Sequence, residues 1–323
     1  MIDPDIRIKF EQQAEMLANR AKKRFKHLRK RFAKQNISVF RLYDWDIPEI
    51  RAVVDWYDGH LVIGEYMRRQ SVPQWLPIMG EAVARALDVP PEHLHLKKRY
   101  AGKQDGKRYE RIGYTDQKIV VSEREFEFYV NPGDYVDTGL FSDHRDTRQT
   151  VREMAQGRDF LNLYCYTATF SCYAAKGGAR STLSVDRSET AVKWARENMD
   201  LNGIPRQNNA LIHADTFDFL RRARRREQRF DLAVVDPPSY STTQSRNDAF
   251  DIVEDHPRLL ADTLALMKKG GIIFFSTNHQ DFYPRMEDLD IAGLEEITHS
   301  TIPEDYVRKT NRQPIHRCWR ISV

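Results

Sequence analysis

Cysteine is scarce in this 323-residue chain: only Cys165, Cys172 and Cys318 are present, with no Cys-x-x-Cys pair and no histidine cluster beside them. So sparse and odd a set excludes a disulfide framework and suggests no metal cage. Three buried thiols in a reducing, cytoplasmic compartment are expected, without a metal. Long apolar runs are also lacking. None approaches the ~20 residues that span a bilayer, and the opening MIDPDIRIKFEQQ has no apolar signal-peptide core. Neither membrane insertion nor export is expected. Internal repeats and low-complexity tracts are absent. A large excess of one charge is lacking too, since the net charge is +4. The basic residues are instead concentrated in 20–34 (RAKKRFKHLRKRFAK), 97–111 (KKRYAGKQDGKRYER) and 221–229 (RRARRREQR). Local patches of this kind attract a phosphate backbone even at small net charge.

The length suits two domains. In residues 6–35, Phe10, Ala14, Leu17, Ala21, Phe25, Leu28 and Phe32 alternate at spacings of three and four. That predicts one long helix with an apolar stripe, docked on a core or paired in a coiled coil. Its polar faces carry Lys22, Lys23, Lys26 and Lys30, expected to meet RNA along with Lys97, Lys98 and Arg99. IRAVVDWY (50–57) and HLVIGEY (60–66) flank Asp58-Gly59, a type I′ hairpin signal. A helix over 74–88 and short strands in HLHLKKR, KIVVSE and EFEFYV complete an α+β accessory region, placed at 1–133.

The pattern then changes. DFLNLY (159–164), TLSVD (182–186), NALIHAD (209–215), FDLAVVD (230–236) and GIIFFS (271–276) read as buried strands with helices between them. One helix covers 188–203, with Ser188 as N-cap and Asn202-Gly203 as its stop. This predicts an α/β, doubly wound parallel sheet over 134–323, closed by an antiparallel pair from LEEITHST (294–301) and HRCWRISV (316–323). Ligands of such sheets bind at the carboxyl ends of the strands. Those ends read Asn162-Leu-Tyr164-Cys-Tyr166-Thr167-Ala, Asp186-Arg187-Ser188, Ala214-Asp215-Thr216 and Asp236-Pro237-Pro238-Ser-Tyr240. Asp186 follows the first turn by about twenty residues, where a ribose-binding carboxylate belongs. The first turn has no G-x-G-x-x-G, which disfavours a pyrophosphate. S-adenosylmethionine, which has none, fits better. Asp236-Pro237-Pro238 makes a rigid loop beside the expected methyl donor.

The runs YVDTGLFSDHRDTRQTV (135–151), DFLNLYCYTATFSCYAAKGGARSTLSVDRS (159–188), DPPSYS (236–241), NDAFDI (247–252) and FFSTN (274–278), with the N-terminal helix and FRLYDWDIPEI (40–50), closely resemble one bacterial group. That group is the RlmK-type 23S ribosomal RNA methyltransferases, the C-terminal half of the fused RlmKL enzyme. The resemblance spans essentially the whole chain. It implies a class I, Rossmann-like methyltransferase fold and methyl transfer to N7 of a guanine in 23S ribosomal RNA or a large-subunit assembly intermediate. It further implies that Asn162, Tyr164 and Tyr166 form the cofactor loop, that Asp186 meets the ribose, Asp215 and Thr216 the adenine, and Asp236 the methyl group. The loop Thr138–Arg145, including Phe141, Asp143 and Arg145, is expected to close over the cofactor. A structural or gating role suits His144 better than general base. Tyr240 and Phe141 are candidates to stack the target base. The other half of the fused enzyme, an N2-guanine methyltransferase with a THUMP module, has no counterpart in these residues, so its activity is not carried over. A separate protein bearing it is an expected partner.

Two other acceptor atoms make different demands. Cytosine C5 needs a cysteine nucleophile; related enzymes carry one after strand five, where this chain has Phe275-Ser-Thr-Asn278. An exocyclic amine is associated with D/N-P-P followed directly by an aromatic, but here Ser239 intervenes before Tyr240. A non-catalytic RNA-binding assembly factor is the reading of another class.

Overall fold

The computed structural model describes residues 3–100, 111–241, 249–308 and 312–323. Basic stretch 97–111 and the motif NDAFDI therefore lie partly outside the described residues. The chain divides into two compact units, 1–138 with 304–312, and 139–303 with 313–323. The division expected at 133/134 falls five residues before that boundary, and the return of 304–312 to the first unit had no sequence signal. Among the described residues, no helix is long and apolar enough to cross a membrane.

The first unit opens with α1 (Pro4–Ala33), started by an Asp3 carboxylate that accepts from the Asp5 amide. Its stripe of Phe10, Ala14, Leu17, Ala21, Leu28 and Phe32 is buried, and Phe25 packs partly buried against the same core. The stripe is thus filled from within the chain, and the coiled-coil alternative falls. Strands β1 (Val39–Asp44), β2 (Ala52–Tyr57) and β3 (His60–Tyr66) are antiparallel neighbours; α2 (Trp75–Ala86) then carries the chain to β4 (Leu94–Arg99), parallel to β3. The β2–β3 turn has φ of +42° at Asp58 and +94° at Gly59, as type I′ geometry requires. A separate hairpin joins β5 (Ile119–Glu123) to β6 (Phe126–Val130). Inside this unit the Arg41 guanidinium donates to Asp55 at 2.7 Å, and Arg308 donates to Asp44 at 2.8 Å.

In the second unit, α3 (Arg145–Met154) precedes β7 (Asp159–Leu163), α4 (Thr169–Lys176), β8 (Ser181–Asp186), α5 (Glu189–Leu201), β9 (Asn209–His213), α6 (Thr216–Arg225) and β10 (Phe230–Val235). After the short pair β11 (Tyr240–Ser241) and β12 (Phe250–Asp251) come α7 (Ile252–Leu264), β13 (Met267–Thr277), β14 (Gly293–Glu296), α8 (Thr298–Thr301) and β15 (Arg317–Ser322). The sheet order is β14-β15-β13-β10-β7-β8-β9, parallel from β9 to β13 and antiparallel at β15 and β14. Strand order reverses beside β7, and the crevice at such a switch point is where open α/β sheets bind ligands. The Ser188 hydroxyl accepts from the Ala191 amide and so starts α5 as expected. One expectation fails locally: 294–301 is not all strand. Thr298 and Thr301 turn their hydroxyls onto Glu296 and the Thr298 carbonyl, favouring the short helix α8.

Candidate active site

The loop after β7 does without the glycines usual in nucleotide-binding turns, yet adopts their backbone. Tyr164, Tyr166 and Ala168 have φ of +57°, +47° and +57°. Left-handed geometry costs a non-glycine residue roughly 1–3 kcal/mol and persists only where the surroundings hold it. They do so here. The Tyr166 amide donates to Asp186 Oδ2 at 2.9 Å, Asn198 Nδ2 to the Thr167 carbonyl at 3.0 Å, and the Thr167 hydroxyl to the Gly139 carbonyl at 2.7 Å. Gly139 itself has φ of +106° and lies against the Trp194 ring.

Asp186 ends β8 and accepts from the amides of Tyr166 and Ser188, at 2.9 and 2.8 Å. Burial raises its pKa, against the pull of those two hydrogen bonds. A carboxylate has about four acceptor sites, so about two remain for a diol. Arg187 beside it donates to the Ser241 hydroxyl at 3.3 Å. Asp215 uses Oδ1 to cap α6 through the amides of Phe217 and Asp218. Buried Thr216 is hydrogen-bonded to the Tyr164 hydroxyl, whose pKa burial raises. Asn162 is only 2% exposed and donates to Ser171, whose hydroxyl lies 2.7 Å from that of Ser184. It braces β7, α4 and β8 and does not line an open surface.

Asp236 stands at the end of β10. Its Oδ1 accepts from the Ser276 hydroxyl at 2.6 Å, and its Oδ2 lies 3.8 Å from His144 Nε2. Pro237 is buried and Pro238 half-buried. Ser239, the insertion before the aromatic, donates to Asn278 Oδ1 at 2.7 Å, while its carbonyl accepts from the Ile252 amide. Half-buried Tyr240 places its hydroxyl 3.0 Å from His279 Nε2. Phe141 is half-buried and tilted against Tyr166, with ring centroids 5.3 Å apart.

His144 is buried and stacked on His316, with centroids 4.0 Å apart and planes at 14°. Burial, then the neighbouring His316 ring, bring its pKa down to about 4, against the opposing pull of Asp236 and Asp143. The ring is therefore neutral near pH 7. His316 bridges Asp143 Oδ2 and the Thr301 hydroxyl, each at 3.0 Å. Ligand atoms of Asp143, His144 and His316 lie within 4.8 Å of one another. However, stacked rings send their lone pairs along nearly parallel planes, and Asp143 already holds His316, so this is a hydrogen-bonded cluster. Arg145 is 2% exposed, and Arg148, fully buried, donates to the Phe141 carbonyl at 3.0 Å. All three cysteines are buried, with thiol pKa values raised by burial, that of Cys172 to about 12. Thiolate chemistry is therefore suppressed at each.

The basic residues separate. Lys22, Lys23, Lys26 and Lys30 are exposed on α1, as is Lys98 on β4. Lys97 requires a correction: it is 1% exposed, its ammonium donates to the Gly133 carbonyl, and burial lowers its pKa to about 8. Strand alternation turns it inward, away from any nucleic acid. Arg99 follows on the same face, half-buried.

A family model described as S-adenosylmethionine-dependent methyltransferase matches residues 45–303. The chain belongs to that family. It is 39% identical over 312 residues to ribosomal RNA large subunit methyltransferase K of Neisseria meningitidis serogroup B, covering 94% of this chain and 86% of the relative. A solved methyltransferase complexed with SAH superposes with a TM-score of 0.76 at 22% identity, covering 97% of this chain and 82% of the other. A SAM-dependent methyltransferase from Streptococcus mutans gives 0.74 at 22% identity, with 97% and 81% covered. One from Agrobacterium tumefaciens gives 0.60 at 16%, with 88% and 90% covered. These likenesses in structure show the fold.

The methyltransferase crevice suits its cofactor chemically. It presents a half-buried carboxylate with open acceptor sites at Asp186, an exposed one at Asp215, and a first loop with no phosphate cradle. Ser276 and Asn278 lie in FFSTN, which the sequence marks only by resemblance and by its lack of cysteine, while His279, Asn198 and His316 carry no site signal because each joins the site from a segment distant in the chain.

Proposed function

We propose that this methyltransferase acts on large-subunit (23S) ribosomal RNA and places the methyl group on N7 of a guanine. The likeness to a large-subunit methyltransferase K supports the substrate class. The observation that carries the acceptor atom is Asp236, fixed by Ser276 beside a neutral, buried histidine, with the described cysteines all buried.

Bound S-adenosylmethionine supplies an electrophilic methyl group on a sulfonium. Asp186 would accept from its ribose hydroxyls, while Asp215 and the Tyr164–Thr216 pair would border its adenine. The Pro237-Pro238 turn fixes the approach needed for in-line attack. Guanine N7 offers a lone pair and carries no proton, so no general base is required. Asp236 opposes the positive charge that develops on the ring. Tyr240 and Phe141 provide aromatic surface for a base withdrawn from its stack. Lys22, Lys23, Lys26, Lys30 and Lys98 contact phosphates. Naked RNA and a large-subunit assembly intermediate are both compatible with this chemistry, and a separate protein would carry any N2-guanine activity.

The test compares ribosomal RNA from cells with and without the gene by nucleoside mass spectrometry and position mapping. Loss of one 7-methylguanosine supports the reading. Loss of an N2-methylguanosine or a C5-methylcytidine would reassign the atom, and unchanged RNA would overturn the proposal. Calorimetry that finds no S-adenosylmethionine binding would favour a non-catalytic assembly factor.

A further inference from the structure

Glu65 on β3 is 7% exposed, and its carboxylate makes no hydrogen bond or ion pair with another described residue. The oxygens are not among the fully enclosed, unpaired polar atoms, so they open toward solvent with their acceptor sites free. Glu65 lines a pocket of about 210 Å³ in the first unit. Lys98, its register partner on β4, lines the same pocket and is exposed. The remaining walls are largely apolar, including Val72, Pro73, Leu76 and Leu96. The pocket therefore offers aliphatic walls, a two-oxygen acceptor and, beside it, one cationic donor.

That pattern complements one nucleobase edge. Guanine presents O6 as an acceptor next to two donors, N1–H and N2–H. Adenine and cytosine each pair one amino donor with a ring lone pair that a carboxylate repels. Uracil has a single N–H between two carbonyls. A cationic arginine side chain would suit Glu65 but meet Lys98. Unpaired RNA bases are read by hydrogen bonds along their Watson–Crick edge, and the aliphatic walls would enclose the ring faces. The geometry points to a guanine-binding pocket in the first unit, in which an unpaired guanine of the RNA donates N1–H and N2–H to Glu65 and accepts at O6 from Lys98. This rests on the reading of RNA as substrate. It moves Lys98 from phosphate contact to base recognition and adds a base-reading site to a surface whose other lysines contact phosphates.

The full-length protein, with its cofactor site first saturated with S-adenosylhomocysteine, is titrated with 5′-GMP, 5′-IMP, 5′-AMP and arginine amide by ligand-observed NMR. A bidentate base contact is worth about tenfold or more in discrimination. GMP is therefore expected to bind about tenfold more tightly than AMP, with IMP, which lacks the N2 amine, in between. Glu65→Gln should abolish the preference while S-adenosylhomocysteine binding persists. Val72→Trp, which fills the pocket, should do the same and serves if the first variant misfolds. Equal binding of GMP and AMP, a preference that survives both variants, or preferential binding of arginine amide overturns the pocket. Methyl transfer to ribosomal RNA is assayed alongside. Transfer without a GMP preference removes the pocket alone; a Glu65-dependent GMP preference without transfer supports the pocket and removes the proposed function.

Discussion

The Asp236 carboxylate accepts a 2.6 Å hydrogen bond from the Ser276 hydroxyl, so the acid ending β10 is oriented by the neighbouring strand. Val235 and Phe275 are register partners, which brings the two following residues side by side. Asp236→Ala should lower kcat/KM for methyl transfer by about 10²–10³-fold, the range for losing one preorganised electrostatic group. Ser276→Ala, which frees the carboxylate without removing it, should lose about tenfold, the worth of one hydrogen bond to a charged group. Labelled methyl incorporation measures both, with circular dichroism as the check on folding. Full activity in Asp236→Ala would refute the assigned role.

Acid should destabilise the fold through His144. Its pKa is about 4 in the folded chain against an ordinary value of 6.5. Between those values the unfolded state binds more protons, so stability falls as pH drops from about 6.5 to about 4. The groups facing the ring are His316, Asp143, Asp236 and Arg148. The loss from this residue is roughly 3 kcal/mol at full development. Urea denaturation across that window should be steeply pH-dependent in the wild type and flatter in His144→Gln. His95, also near 4, and His60 and His256, both lowered by burial, remain in the variant and account for residual slope. Identical pH profiles would show that His144 is not the group responsible.

Replacing Lys22, Lys23, Lys26 and Lys30 with Glu should weaken RNA binding and flatten its dependence on salt. Each lost phosphate contact removes about 0.7–0.9 from the slope of log affinity against log salt. Because these side chains are exposed, the melting temperature should hold. Affinity and slope like those of the wild type would reduce α1 to a solvated face.

Gly139→Ala should cost about 2–4 kcal/mol, since it combines a left-handed backbone with overpacking. The glycine has φ of +106°, and an added Cβ would stand 2.3 Å from the Trp194 ring. The Gly139 carbonyl holds the Thr167 hydroxyl, so S-adenosylmethionine affinity should fall as well. Calorimetry and thermal melts read the two effects, and a variant indistinguishable from wild type would contradict this account of the loop.

Local chemistry made much of the fold legible. Asp58-Gly59 specified a hairpin, Ser188 a helix start, and five apolar runs the parallel strands. β1 escaped notice because its interior holds Arg41, which reads as surface until Asp55 and Asp305 are brought to it. Lys97 was misread for a related reason: in HLHLKKR, alternation buries one lysine of a pair, and the Gly133 carbonyl that receives it is distant in sequence. At the site, the acids ending the strands were visible because each follows its own apolar run. The groups that orient them were not. Ser276 lies forty residues after Asp236, and the stack of His144 on His316 spans most of the second unit.

The segment 304–312 carries a consequence for how the protein is made. Arg308 ion-pairs Asp44, Asp305 accepts from the Arg41 amide, and Arg312 donates to the Asp44 carbonyl. A nascent chain that has emerged only as far as residue 138 holds Asp44 and Arg41 without these partners. The region translated first is thus completed among the last. The apolar core of the N-terminal unit lies within residues 10–96 and can form early, but its Arg41–Asp44 polar cluster gains Asp305, Arg308 and Arg312 only when nearly the whole polypeptide has left the ribosome, and a gene truncated after α8 would leave the cluster without them.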